Sequence, residues 1–143
     1  MIQRKQSLWL FIAALLNAGV FYFDLYKTHI MVNGVDTPGT PLRVSDHYPS
    51  MLIALVMTLF PLITIFMFSN RKRQLSMCVV SILAIVSFVT LTLGRVGKIA
   101  PPPSSGSYWI GSILPAISFI FIIMAIFGIR RDEKLVKSVD RLR

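Results

Sequence analysis

Residues 75–93 read LSMCVVSILAIVSFVTLTL, an apolar stretch with no Asp, Glu, Lys, Arg or His. At a helical rise of about 1.5 Å per residue this stretch matches a hydrocarbon core of roughly 30 Å. Three further stretches of the same length, 8–26, 51–69 and 110–128, have the same character, and Asp24 is the single Asp, Glu, Lys, Arg or His in any of them. A buried helix of a water-soluble protein carries a charged or strongly polar face at helical spacing, and none is visible here. The expected fold is therefore an all-α membrane protein, a bundle of four transmembrane helices forming one domain over residues 1–143.

Composition points the same way. Of 143 residues, 55% are hydrophobic and 15% charged, with a mean hydropathy of +0.69, against about 25% charged in an ordinary soluble domain. The net charge of +9 is confined to the ends of apolar segments, which argues against a nucleic-acid surface. A single cysteine, Cys78, excludes an intramolecular disulfide and any paired-cysteine metal motif. The first stretch follows Arg4 and Lys5 as a signal peptide would, but its apolar character runs on through Val20 and Phe23, so it reads as a retained anchor.

Orientation follows from the basic residues. Arg4, Lys5, Arg71, Lys72, Arg73, Arg130, Arg131, Lys134, Lys137, Arg141 and Arg143 fall on one side, against Lys27, Arg43, Arg95 and Lys98 on the other. The positive-inside rule then places both termini and the 70–74 turn in the cytoplasm. Tyr22, Tyr26, Tyr48, Tyr108 and Trp109 fall at the outer interface, and Trp9 at the inner one. Residues 27–50 form the longest external segment, where Asn33-Gly34 between β-branched residues signals a small hairpin, with Pro38, Pro41 and Pro49 limiting its extent. Residues 101–107, with three prolines followed by serines, read as a connector.

Chemistry is sparse. Asn17, Thr58, Thr64, Ser76, Ser81, Ser87, Thr90, Thr92, Ser112 and Ser118 lie within spans, where hydrogen bonding between helices is their ordinary role. Pro61 deprives the Met57 carbonyl of its helical donor and bends the second span, a shape feature rather than a gate on this reading. His29, Asp36, Asp46 and His47 share the outer loop, but the intervening prolines leave no fixed zinc geometry, so no metal is expected, and no cofactor. Haem is excluded for want of a histidine in any span. Small residues, Ala13, Ala14 and Ala18 beside Asn17 and then Ser112 and Ala116, mark close helix contacts.

The opening MIQRKQSLWL, the NRKRQ at 70–74 and the ending IRRDEKLVKSVDRLR at 129–143 together resemble a family of short four-span bacterial membrane proteins designated a domain of unknown function. The resemblance implies a four-helix bacterial inner-membrane protein with cytoplasmic termini, and brings no activity or catalytic residue. The expected role is a non-enzymatic accessory or scaffolding subunit contacting anionic lipids at the cytoplasmic face and other membrane proteins. The alternative is a small-solute or ion transporter built around Pro61, and a lipid-acting enzyme would have to draw on Asp24 or the outer loop.

The tail, 129–143, is expected to continue the fourth helix, because it lacks proline and glycine and sets Glu133 four residues before Lys137. Its apolar stripe is Leu135, Val139 and Leu142. With Arg71, Lys72, Arg73, Arg130, Arg131 and Lys134, these residues are the candidate contacts for lipid or a partner.

Overall fold

The computed structural model describes residues 3–32, 35–68, 70–99 and 105–140. Its elements run α1 (Gln3–Gly19), β1 (Tyr26–Val32), β2 (Val35–Leu42), a 3₁₀ turn (Val44–Asp46), α2 (Tyr48–Phe66), α3 (Arg71–Ile99), β3 (Ser105–Tyr108) and α4 (Ile110–Asp140). Each helix packs on the one before and the one after it, and α1 also packs on α4. Three helices, α2, α3 and the 110–135 part of α4, are long and apolar enough to cross a membrane.

Helix burial follows one rule. The repeating buried positions are Gln6, Leu10, Ala13, Asn17 and Val20 along α1 and its end, Ser50, Ala54, Met57, Pro61 and Thr64 on α2, and Gln74, Cys78, Ser81, Ile85, Phe88 and Thr92 on α3, with Ala14 and Val96 buried besides. On α4 they are Gly111, Pro115, Ser118, Ile122, Ala125, Ile129 and Asp132. Steps of four and three alternate throughout, the seam of left-handed helix packing. These seams are rich in small and weakly polar side chains, whereas Leu55, Leu59 and Ile63 of α2, Leu83 and Val86 of α3, and Ile113, Ile120 and Phe127 of α4 are exposed. Only 28%, 33% and 28% of the apolar stretches of α2, α3 and α4 is buried within the chain, so most of the apolar surface faces outward.

Pro61 is buried inside α2 and cannot donate to the Met57 carbonyl. Asn17 Nδ2 on α1 supplies the missing donor at 2.8 Å. Ser118 Oγ on α4 donates to the Ala13 carbonyl of α1 at 3.2 Å. Thr58, Thr64, Ser81, Thr90 and Thr92 donate back to the carbonyl four residues earlier. The α1 strip thus closes against the chain's own helices at Ala13, Ala14 and Asn17, while Ala18 and Ala116 are exposed and do not join it.

The first helix differs from the expected 8–26 stretch. It begins at Gln3 and ends at Gly19, after which Tyr22 and Phe23 donate to the Gly19 carbonyl and the chain turns into β1. Leu25 and Tyr26, counted into the span for their apolarity, are buried instead at the start of the sheet. The sheet has the order β2-β1-β3, all antiparallel. Val32 opposite Val35 gives the register of the expected hairpin, whose tip, Asn33-Gly34, lies outside the described residues. β2 runs through Pro38 and Pro41 because it is an edge strand, where a missing donor can face outward, with a register shift between Lys27 and His29.

β3 falls in the segment read as a connector. Gly106 is required there, because a Cβ would meet the Tyr26 hydroxyl at 2.2 Å. Leu25 ties the sheet to the helices: its N–H donates to the Leu42 carbonyl at 2.9 Å and its carbonyl accepts from Trp109 N at 3.0 Å. Gly111, at the start of α4, lets its N–H reach the Asp24 carbonyl at 3.1 Å, where a Cβ would stand 2.6 Å from that oxygen.

The Asn17 contact predicts a rescue. Asn17→Ala strands the Met57 carbonyl and should cost about 1–3 kcal/mol in equilibrium unfolding. Pro61→Ala returns a backbone donor, so the double variant should be more stable than Asn17→Ala alone. Simple additivity of the two losses would contradict the role given to Asn17.

Candidate functional site

The two ends of the helical layer differ chemically. At the sheet end, Asp24 pairs with Arg43 Nε at 2.7 Å and Lys27 Nζ at 3.7 Å, and Lys27 Nζ lies 3.8 Å from the centre of the Trp109 ring. Arg43 donates this hydrogen bond to the Asp24 carboxylate, which holds the guanidinium above its ordinary pKa. Arg95 Nη1 donates to the Arg43 carbonyl at 3.2 Å, which pins this loop to α3. Tyr22, Tyr26, Tyr48, Tyr108 and Trp109 gather at this end.

Two of the four residues weighed as metal ligands are held otherwise. His47 Nδ1 accepts from Ser50 N at 3.3 Å and lies 2.8 Å from Ser50 Oγ, so it caps α2, and Asp46 Oδ2 accepts from Arg43 N at 2.8 Å. His29 Nε2 lies 3.4 Å from Ser107 Oγ across the β1–β3 pair, and the Asp36 side chain lies outside the described part. A crevice of about 130 Å³ at this end lies between α3 and α4 and is lined by Phe88, Val89, Thr92, Leu93, Tyr108 and Ser112.

At the opposite end α1, α3, α4 and the segment after α2 come together around a buried carboxylate. Asp132 of α4 is 7% exposed. Gln6 Nε2 of α1 donates to its Oδ2, while Oδ1 is buried without a partner. Gln74 of α3 is also buried, and its Nε2 donates to the Thr64 carbonyl in the last turn of α2 at 3.3 Å. Beside Asp132 lies a hollow of about 10 Å³, lined by Gln6, Ser7, Phe68, Arg71, Gln74, Ile129 and Asp132. The carboxylate sits among the N-terminal turns of α1 and α3, whose partial positive charge favours an anion. Gly128 makes the close approach possible, since a Cβ there would stand 2.8 Å from Gln6 Cγ.

The basic residues singled out from the sequence surround this end. Arg71, Lys72 and Arg73 form not a turn but the first turn of α3, capped by Asn70, whose Oδ1 accepts from Arg73 N at 3.2 Å. Three cations at a helix N-terminus oppose the macrodipole, so helix stability is not what they supply. Arg71 is half-buried and lines the hollow. Arg130, Arg131 and Lys134 are exposed on α4, which runs unbroken to Asp140 as the tail pattern required. Leu135 is 48% exposed. Val139 lies in the helix with its side chain outside the described part, and Leu142 lies outside the described residues altogether.

Sequence reasoning counted Asp132 as one more charge of the tail and passed over Gln6 and Gln74. The signal was the seam itself: Asp132 follows Ile122, Ala125 and Ile129 at the alternating spacing, as Gln6 precedes Leu10 and Gln74 precedes Cys78.

The fold and this site define a small helical protein whose apolar core is interrupted by weakly polar side chains along the helix seams and whose exterior carries large apolar ones. Residues 2–142 match the family described as Domain of unknown function (DUF4293), and the chain belongs to that family. No curated protein and no solved structure matches the chain.

Gln6 and Asp132 should behave as one unit. Gln6→Leu removes the donor from a buried carboxylate and should cost about 2 kcal/mol in equilibrium unfolding. Gln6→Leu with Asp132→Leu should cost less than Gln6→Leu alone, because no buried charge is left. A double variant as unstable as the summed singles would refute the pairing.

Proposed function

We propose that this chain is an integral protein of a bacterial inner membrane, a bundle of four spans in which α1 is the shortest, with the basic end and both termini in the cytoplasm. Its role is that of a non-enzymatic accessory or scaffolding subunit. The observation that carries this reading is the distribution of polarity: weakly polar groups on the helix seams face inward and hydrogen-bond to backbone carbonyls, and many large apolar side chains face outward. Lipid accepts such an exterior, whereas water does not. α1 shares the pattern, with Leu8, Phe11 and Leu15 exposed, and its 17 residues span about 25 Å.

The accessory role draws support from how the interior polar groups are used. Asn17, Ser118 and the threonines bond helices to each other or to their own backbone, and neither crevice described above is lined by Asn17 or Pro61. The extension of α4 projects basic residues past the hydrocarbon layer, where each contributes about 1 kcal/mol toward an anionic surface. Its Leu135, Val139 and Leu142 stripe is the proposed face toward a partner, with Arg71, Lys72, Arg73, Arg130, Arg131 and Lys134 set toward lipid headgroups.

A reporter fused after Arg143 should read out as cytoplasmic, and the native protein drawn from membranes in mild detergent should bring other membrane proteins with it. Changing Leu135, Val139 and Leu142 to Ser should abolish that association while leaving the topology intact. A lone monomer that moves a solute in liposomes would contradict the scaffolding role.

A further inference from the structure

We propose that the hollow at Asp132 binds the headgroup of a phospholipid that carries a primary ammonium, with the ammonium on Asp132 and the phosphate on Arg71. The proposal rests on reading the basic end as a membrane interface.

Three observations carry it. Asp132 Oδ1 is buried and unpartnered although Gln6 holds Oδ2, and a carboxylate oxygen left so is costly until a donor arrives. The hollow beside it has about 10 Å³ of room, the space of one water-sized group. A primary ammonium is of that size and carries three donors, whereas a trimethylammonium is larger and carries none. Finally, Arg71 lines the same hollow, so an acidic and a basic side chain border one space. A bare cation meets Arg71 and a bare anion meets Asp132, but a zwitterion with ammonium and phosphate two carbons apart satisfies both.

The apolar members of the lining extend the fit. Phe68 is 62% exposed, which gives the glycerol and upper acyl carbons a surface beside the polar hollow. Lys72, Arg73, Arg130 and Arg131 are exposed at the same end and add long-range attraction for phosphate without choosing between headgroups. Choice between headgroups therefore falls to Asp132.

The test uses the full chain in nanodiscs with a constant fraction of phosphatidylglycerol and equal amounts of phosphatidylethanolamine and phosphatidylcholine, the retained lipid being read by native mass spectrometry. The wild type should retain phosphatidylethanolamine over phosphatidylcholine by about tenfold, the ratio set by one charge-assisted hydrogen bond. The preference should decline with each N-methyl group added to the headgroup, a series that needs no mutant. Asp132→Asn should lose it, Arg71→Gln should weaken retention of both lipids, and Lys98→Gln, at the opposite end of α3, should keep it. Free phosphoethanolamine in excess should not displace the lipid. Equal retention of the two lipids by the wild type, as with a hollow that holds only water, would overturn the proposal, as would a preference that survives Asp132→Asn. Displacement by free phosphoethanolamine would overturn the lipid as occupant. A chain that stays in the aqueous phase would overturn the membrane reading and this proposal together, whereas a chain in the bilayer without preference overturns this proposal alone.

Discussion

Pro61 takes a donor away from the Met57 carbonyl, and Asn17 Nδ2 restores one from the neighbouring helix at 2.8 Å. A peptide carbonyl buried without a donor costs roughly 1–3 kcal/mol, so this contact sets both the depth and the rotation of α1 against α2. With α1 so placed, Ala13 comes under the Ser118 hydroxyl of α4, and Gln6, three helical turns away, comes level with Asp132. Gly19 of α1 faces Leu114 of α4 and Gly128 of α4 faces Gln6 of α1, each too near that side chain to carry a Cβ without displacement. One restored hydrogen bond therefore propagates along the length of α1 to the polar end.

The same arrangement separates two kinds of end. The sheet end is fixed mainly by backbone: Leu25 bonds to both Leu42 and Trp109, and Gly111 bonds to Asp24. The basic end is fixed by side chains, Gln6 on Asp132 and Gln74 on the Thr64 carbonyl. Side-chain contacts of that kind leave a partly satisfied group more readily than a backbone ladder does, and Asp132 Oδ1 is such a group. That one end is a finished cap and the other an incomplete polar cluster follows from which chemistry closes each.

Much of this was legible in the sequence. The apolar runs at 51–69, 75–93 and 110–128 correspond to α2, α3 and α4, the Asn33-Gly34 signal falls between two paired strands, and the helical pattern after Gly128 continues to Asp140. The first run was misjudged at its end because hydropathy records burial and not conformation: Val20, Leu25 and Tyr26 are buried, but in a turn and a strand. β3 carries almost no strand propensity in Ser105-Gly106-Ser107-Tyr108 and exists through its partner β1. The site was hidden for a related reason. Charge counting groups Asp132 with the tail, and only its place in the seam after Ile129 shows that it points inward.

That the large apolar side chains on the outer helix faces meet lipid and not water is the claim on which the functional account stands, and it is tested by placing single cysteines on the two faces. In a Cys78→Ser background reconstituted in bilayers, spin labels at Leu59, Leu83 and Ile120 should show high collision with oxygen and low collision with a water-soluble nickel chelate. Labels at Met57, Ile85 and Ile122 should be shielded from both. Outward positions that collide freely with the aqueous chelate would contradict the account, because the apolar faces would then be meeting water.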